Sequence, residues 1–188
     1  MQVKINNLDY HVEVCGEGFP LLLLHGFTGD SSTWTPFCPI WGKQSRLIIP
    51  DIIGHGKTAS PDEIKYYQME SVASDLIRLL DLLEIDQIDL LGYSMGGRLA
   101  LTLAILYPER VRKLILESAS PGLKTDEERM QRRMKDGELA NFINEQGIKS
   151  FVDHWEAIPL FSTMGTLPSP VKKSIREQRL SNNTRGVA

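Results

Sequence analysis

Apolar and polar positions alternate at the start of the chain and then stop alternating, which separates two kinds of strand. Val3 and Ile5, then Tyr10, Val12 and Val14, keep a period of two around Asn6-Asn7 and predict an antiparallel hairpin. Further on, Leu21 to Leu24, Leu47 to Ile49, Ile88 to Leu91 and Leu114 to Leu116 are short unbroken apolar runs, the pattern of parallel strands buried on both faces. Helical periods lie between them. Ser71 to Leu83 gathers Val72, Leu76, Leu79, Leu80 and Leu83 on one face and Asp75, Arg78 and Asp81 on the other. Gly97 to Leu106 is apolar almost all round, as a helix laid against a sheet would be. Alternating strands and helices predict an α/β fold, with a mostly parallel sheet behind an N-terminal antiparallel hairpin.

From Pro121 onward the strand pattern ends and charged helical texture takes over, in T-D-E-E-R-M-Q-R-R-M-K-D, E-L-A-N-F-I-N-E-Q-G, F-V-D-H-W and S-P-V-K-K-S-I-R-E-Q-R-L-S-N-N. Thr125 with Glu128 three positions on predicts a capping box. Two units are expected: a core over 1–121 and a cap or lid of short helices over 122–188. The 188 residues carry a formal charge of -3, which gives no footprint for nucleic acid or an anionic membrane. No run reaches the length of a membrane span, and the N-terminus lacks a signal pattern, so the expected location is cytoplasmic. Cys15 and Cys38 have no C-x-x-C partner and no histidine cluster, which suggests neither a disulfide framework nor a zinc site and points to a reducing compartment. No cofactor is implied.

The chemistry centres on Gly92-Tyr93-Ser94-Met95-Gly96, a G-x-S-x-G pentapeptide between an apolar strand and an apolar helix. In that setting the serine occupies a tight, strained turn, with neighbours too small to clash, at the positive end of a helix. Leu24-His25-Gly26-Phe27-Thr28-Gly29 follows another strand, where a second donor to an oxyanion is expected, so the backbone N–H groups of Phe27 and Met95 are the candidate pair. Together with Pro50-Asp51-Ile52-Ile53-Gly54-His55-Gly56-Lys57-Thr58, which looks like a D-x-x-G-H-G-x-S loop, these motifs resemble the α/β-hydrolase superfamily.

Within it the chain resembles the 2-succinyl-6-hydroxy-2,4-cyclohexadiene-1-carboxylate synthase family of menaquinone biosynthesis. The resemblance rests on Arg98 just past the elbow, Pro121-Gly122-Leu123 with Asp126 to Arg129, His154-Trp155 with Pro159-Leu160-Phe161, and Gln178 to Asn183. It implies a metal-free lyase in which Ser94 acts as base and Arg98, Arg129, Trp155 and Arg179 bind a small polycarboxylate. Lys124 stands where relatives can carry glutamine. Guanidinium forks suit carboxylates, although Arg129 equally fits a solvated helix face and Trp155 a packed one. A carboxylic-ester hydrolase with an acyl-Ser94 intermediate is the alternative, and a ligand-binding relic a third reading.

The superfamily places an acid and then a histidine after the cap, and residue 188 falls before both. The four histidines, His11, His25, His55 and His154, do not occupy that place. The last strands are therefore expected to be missing, leaving a sheet edge and a helix face open to self-association.

Overall fold

The computed structural model describes residues 1–188. Six strands, β1 (Gln2–Ile5), β2 (Leu8–Cys15), β3 (Phe19–Leu24), β4 (Ser45–Pro50), β5 (Ile88–Tyr93) and β6 (Val111–Glu117), form one sheet in the order β1-β2-β4-β3-β5-β6. The hairpin β1–β2 turns at Asn6 and Asn7, whose positive φ values of 49° and 67° match what a two-residue turn between right-twisted strands requires. β2 joins β4 antiparallel, and β4–β3–β5–β6 pair in parallel.

Helices α1 (Cys38–Trp41), α2 (Met69–Leu82) and α3 (Met95–Leu106) cover the sheet. Successive residues of β3 serve opposite faces: Leu22 and Leu24 pack with Leu76, Leu79, Leu99 and Leu103, whereas Leu23 packs with Trp34, Leu47 and Ile49. Each such fully buried leucine contributes about 2 kcal/mol. Asp75 departs from the amphipathic reading of α2. It is buried, because Tyr10 Oη and Asn6 Nδ2 both donate to its carboxylate at 2.7 Å, so a long-range polar contact overrides the helix period.

Cys15 and Cys38 form a disulfide, Cα to Cα 6.0 Å, which corrects the expectation that they stand apart. The end of β2 and the start of α1 bring them together beside Trp41, a proximity that lies in the tertiary fold and not in any spacing motif.

The run at Leu114 to Leu116 also departs from two-sided burial. β6 is the sheet's edge strand, with β5 its one neighbour, and Ile115 and Leu116 are 50% and 41% exposed. Ile105 and Leu106 at the end of α3 are exposed as well.

Beyond β6 come α4 (Asp126–Ala157), α5 (Ser169–Leu180) and α6 (Thr184–Val187). Where three short helices were expected before Trp155, α4 continues through Gly137 and breaks only at Gly147, whose φ of 77° is left-handed. Thr125 closes the expected capping box: its hydroxyl accepts from the Glu128 N–H at 3.2 Å, and the Glu128 carboxylate accepts from the Thr125 N–H at 2.9 Å. The first half of α4 is solvent-exposed, and the second half packs Ile143, Phe151 and Val152 against Val187 of α6. No helix is long and apolar enough to cross a membrane.

Candidate active site around Ser94

Ser94 joins β5 to α3 with φ 52° and ψ -112°, a backbone conformation that L residues rarely adopt. The glycines around it are dictated by contact. A Cβ at Gly92 would lie 2.3 Å from the Gly96 carbonyl oxygen, one at Gly96 2.4 Å from that of His25, and one at Gly97 2.4 Å from the Ala119 Cβ. The helix can therefore start directly on the strand end only with glycine at those places. The strain is held by main chain: the Ser94 N–H donates to Glu117 O of β6 at 2.9 Å, and Ser94 O accepts from the Gly97 and Arg98 N–H groups. The hydroxyl thus sits at the N-terminus of a 12-residue helix, where the dipole favours negative charge.

The turn after β3 lies on this elbow. A Cβ at Gly26 would meet the Tyr93 ring at 2.8 Å and the Ser94 Cβ at 3.4 Å, so the turn packs against the serine at Gly26, the residue before Phe27. His25, fully buried, ties that turn to the loop after β4: its Nδ1–H donates to Gly26 O at 2.9 Å, and its Nε2 accepts from the Ile52 N–H at 2.9 Å. These partners fix the tautomer, because a carbonyl can only accept and an amide N–H only donate. His55 donates through Nδ1 to Ile53 O at 3.1 Å, and its buried Nε2 has no partner. Burial pushes both imidazoles down to about 4, for His55 with help from the neighbouring His25, so both are neutral at pH 7.

Asp51 anchors the same loop, accepting from the Ser31 and Lys57 N–H groups at 2.6 and 2.8 Å. Gly56 is glycine because a Cβ there would lie 2.2 Å from the Asp51 carboxylate. Histidine and aspartate thus work here through main-chain hydrogen bonds.

A cavity of about 770 Å³ opens beside the elbow. Phe27 and Met95, the candidate oxyanion pair, both line it, with Ile53, His55, Leu99 and Val187; most of its lining is hydrophobic, and Asp62, Asp136 and Arg185 add charge to its walls. The cations expected to bind substrate are placed elsewhere. Arg98 is half-buried one turn along α3 and has no carboxylate partner. Arg129 folds back on the start of α4, donating to Leu123 O and Lys124 O and pairing with Asp126 at 2.5 Å, and Lys124 is exposed beside it. Arg179 is buried against the Phe161 ring, with Glu156 at 3.3 Å. Trp155 packs edge-to-face on Phe27, ring centres 5.4 Å apart, and its buried indole N–H has no partner. Of the other histidines, His11 bonds Glu13 at 2.8 Å, and His154 is exposed beside Phe142.

Two residues of the Gln178 to Asn183 segment to which the resemblance gives no role also reach the site. Gln178 and Asn182 both donate to Thr28 O, a contact that the resemblance of that segment did not carry.

A parallel sheet with a strained serine between strand and helix defines an α/β-hydrolase, and the chain belongs to that family: its profile, described as alpha/beta hydrolase fold, matches residues 20–187. A Bacillus subtilis (strain 168) protein provisionally named 2-succinyl-6-hydroxy-2,4-cyclohexadiene-1-carboxylate synthase is 47% identical over 168 residues, covering 89% of this chain and 61% of that protein. The synthase of that name from Salmonella paratyphi C is 30% identical over 162 residues, covering 84% and 61%. Among solved structures, MenH from S. aureus superposes with a TM-score of 0.87 at 36% identity, over 95% of this chain and 67% of that one. The chain spans about three fifths of the length of these two curated relatives.

Proposed function

We propose that the Ser94 site serves a lyase reaction, the elimination of pyruvate from a succinyl-bearing cyclohexene dicarboxylate to give 2-succinyl-6-hydroxy-2,4-cyclohexadiene-1-carboxylate in menaquinone biosynthesis. The observation that carries this reading is the strained Ser94 elbow with the turn at Gly26 packed against it, in a chain 47% identical to a protein bearing that synthase name.

The Ser94 oxygen takes a proton next to a carbonyl of the substrate. The Phe27 and Met95 N–H groups hold the enolate-like oxygen that forms, the ring carbon–oxygen bond then breaks with its electron pair going to the departing enolate of pyruvate, and that enolate takes a proton at its carbon to leave as pyruvate. Serine needs a partner base to do this. His25 uses both ring nitrogens on main chain, His11 is bonded to Glu13, His154 is exposed, and His55, whose Nε2 is free, makes no hydrogen bond to Ser94, so this reading takes as partner the histidine that the superfamily places after its cap. Arg98, unpaired and one turn beyond Ser94, is the cation this reading gives to a substrate carboxylate, with Arg179 and the free Trp155 N–H lending orientation. Arg129 and Lys124 serve the start of α4 in this arrangement.

Release of pyruvate from that substrate is to be measured with this chain and with this chain joined to the remaining two fifths of the Bacillus subtilis relative. Turnover by the joined protein, abolished by Ser94→Ala, supports the reading, and no pyruvate from either overturns it. Turnover by the joined protein alone makes the 188 residues a binding unit.

The mostly apolar cavity favours a second reading, hydrolysis of a neutral ester through an acyl-Ser94 intermediate. Ser94-dependent cleavage of an aryl ester without pyruvate release would select it.

A further inference from the structure

The carbonyl of Thr28, directly after Phe27, is held from a distant part of the chain. Gln178 Nε2 donates to it at 2.8 Å and Asn182 Nδ2 at 2.9 Å, across 150 and 154 residues of sequence. Asn182 also accepts, through Oδ1, from the Gly56 N–H at 3.0 Å. A carbonyl can only accept and an amide N–H only donate, so the orientation of the Asn182 side chain is fixed. Asn182 is 4% exposed. Thr28 itself has φ 68°, a left-handed conformation that costs a β-branched residue free energy and persists only when the surroundings impose it.

The chain after α5 is seated on the same two loops. A Cβ at Gly186 would lie 2.1 Å from Gly54 O, so α6 rests directly on the loop after β4, and the Arg185 guanidinium meets Asp62 at 2.7 Å. The turn against Ser94 is therefore fixed at both ends: His25 grips Gly26 O, and the two amides grip Thr28 O, with Phe27 between.

We infer that Gln178 and Asn182 are positioning residues for the oxyanion site: by clamping Thr28 O they hold the Phe27 N–H over Ser94, so the helical segment completes the site as well as covering it. This rests on the reading that Phe27 and Met95 donate to the oxyanion.

Asn182→Asp and Gln178→Glu test it at pH 8 to 9, since each is isosteric and, once ionised, replaces the donating NH₂ with an oxygen that can only accept. Asn182→Asp also keeps the acceptor for the Gly56 N–H. In the full chain, labelled for NMR, the expected result for either variant is a displaced Phe27 amide resonance and loss of the cross-peak between the Gly26 α-protons and the Ser94 β-protons. The Gly56 and β-sheet amides stay in place, and Gln178→Lys, which restores a donor, restores the Phe27 resonance. An unmoved Phe27 amide with the cross-peak intact overturns the clamp, as does displacement of Phe27, Gly56 and sheet amides together, which is general loosening. Phenylboronate, which adds to a serine hydroxyl as a tetrahedral anion, separates the two ideas in the unsubstituted chain: if it shifts neither the Phe27 nor the Met95 amide, the oxyanion reading fails, while the clamp is still judged on the turn.

Discussion

At Ser94 the side chain and the backbone make opposing demands. Its φ of 52° costs an L residue on the order of 1–2 kcal/mol, and the hydroxyl accepts no cap bond from its own helix in return. Ser94→Gly removes the Cβ that suffers the strain, so the variant is expected to be more stable by about 1 kcal/mol in urea denaturation while losing all Ser94-dependent turnover. The gain is a balance, because glycine also widens the unfolded ensemble; a loss of stability would show that the turn is not strained. Gly96 gives the opposite outcome. An alanine there places a methyl 2.4–2.5 Å from two main-chain oxygens, those of His25 and Leu24, which cannot swing away as a side chain could. Gly96→Ala is expected to cost more than about 2 kcal/mol by the same measurement, as an overpacked buried contact does. The glycine at position 96 was legible in the sequence as the last place of G-x-S-x-G after a strand. What no motif carried is which atoms enforce it, because the Leu24 and His25 carbonyls come from the end of a neighbouring strand and the turn after it.

Elements whose period was simple were legible, and those that depended on their neighbours were not. The hairpin, the parallel runs and α2 follow from alternation and helical spacing, and the box at Thr125 and Glu128 follows from two residue types three positions apart. Since the first half of α4 is exposed and has little packing to rely on, its cap is expected to matter. Thr125→Ala should cost about 1 kcal/mol and raise amide exchange over the first turns of α4, leaving exchange in the β-sheet unchanged; equal exchange in α4 would mean the box is idle. By contrast, the burial of Asp75, the pairing of Cys15 with Cys38 and the exposure of Ile115 are decided by what lies opposite each residue. Period alone places Asp75 in water; two donors from the β1–β2 hairpin place it in the core. The amide pair on Thr28 belongs to this group, since the Gln178 to Asn183 segment stood out by resemblance but the loop its amides meet is known only from the fold.

Across the whole molecule, the loops after β3 and β4 are bonded to each other through the buried neutral imidazole of His25, with that of His55 packed beside it, which ties the integrity of the site to pH. His25 and His55 lie with ring centres 5.3 Å apart, and burial holds both at about 4 against an ordinary value of 6.5. Above pH 6.5 neither the folded nor the unfolded chain protonates them, so they add no pH dependence. Between 6.5 and about 4 the unfolded chain binds protons that the fold refuses, so stability falls as pH falls, and below about 4 the effect levels off because both states are protonated. A displacement of this size corresponds to a loss of about 3 kcal/mol for one histidine, and about twice that at most for the pair, since the His25 charge is already one of the causes that hold His55 low. The carboxylates of Asp89, Asp153 and Glu128, held low by hydrogen bonds, begin to lose their contribution only as pH approaches their unfolded values of 3.8 to 4.5, so the decline above about pH 5 belongs to the histidines. Urea denaturation at half-unit steps from pH 7.5 to 4 should therefore show a flat region followed by a steady decline beginning near 6.5. His55→Gln, with no imidazole to charge at that position, should shallow the decline by about half at equal ionic strength. A stability profile flat down to pH 4.5 would mean that water reaches these rings.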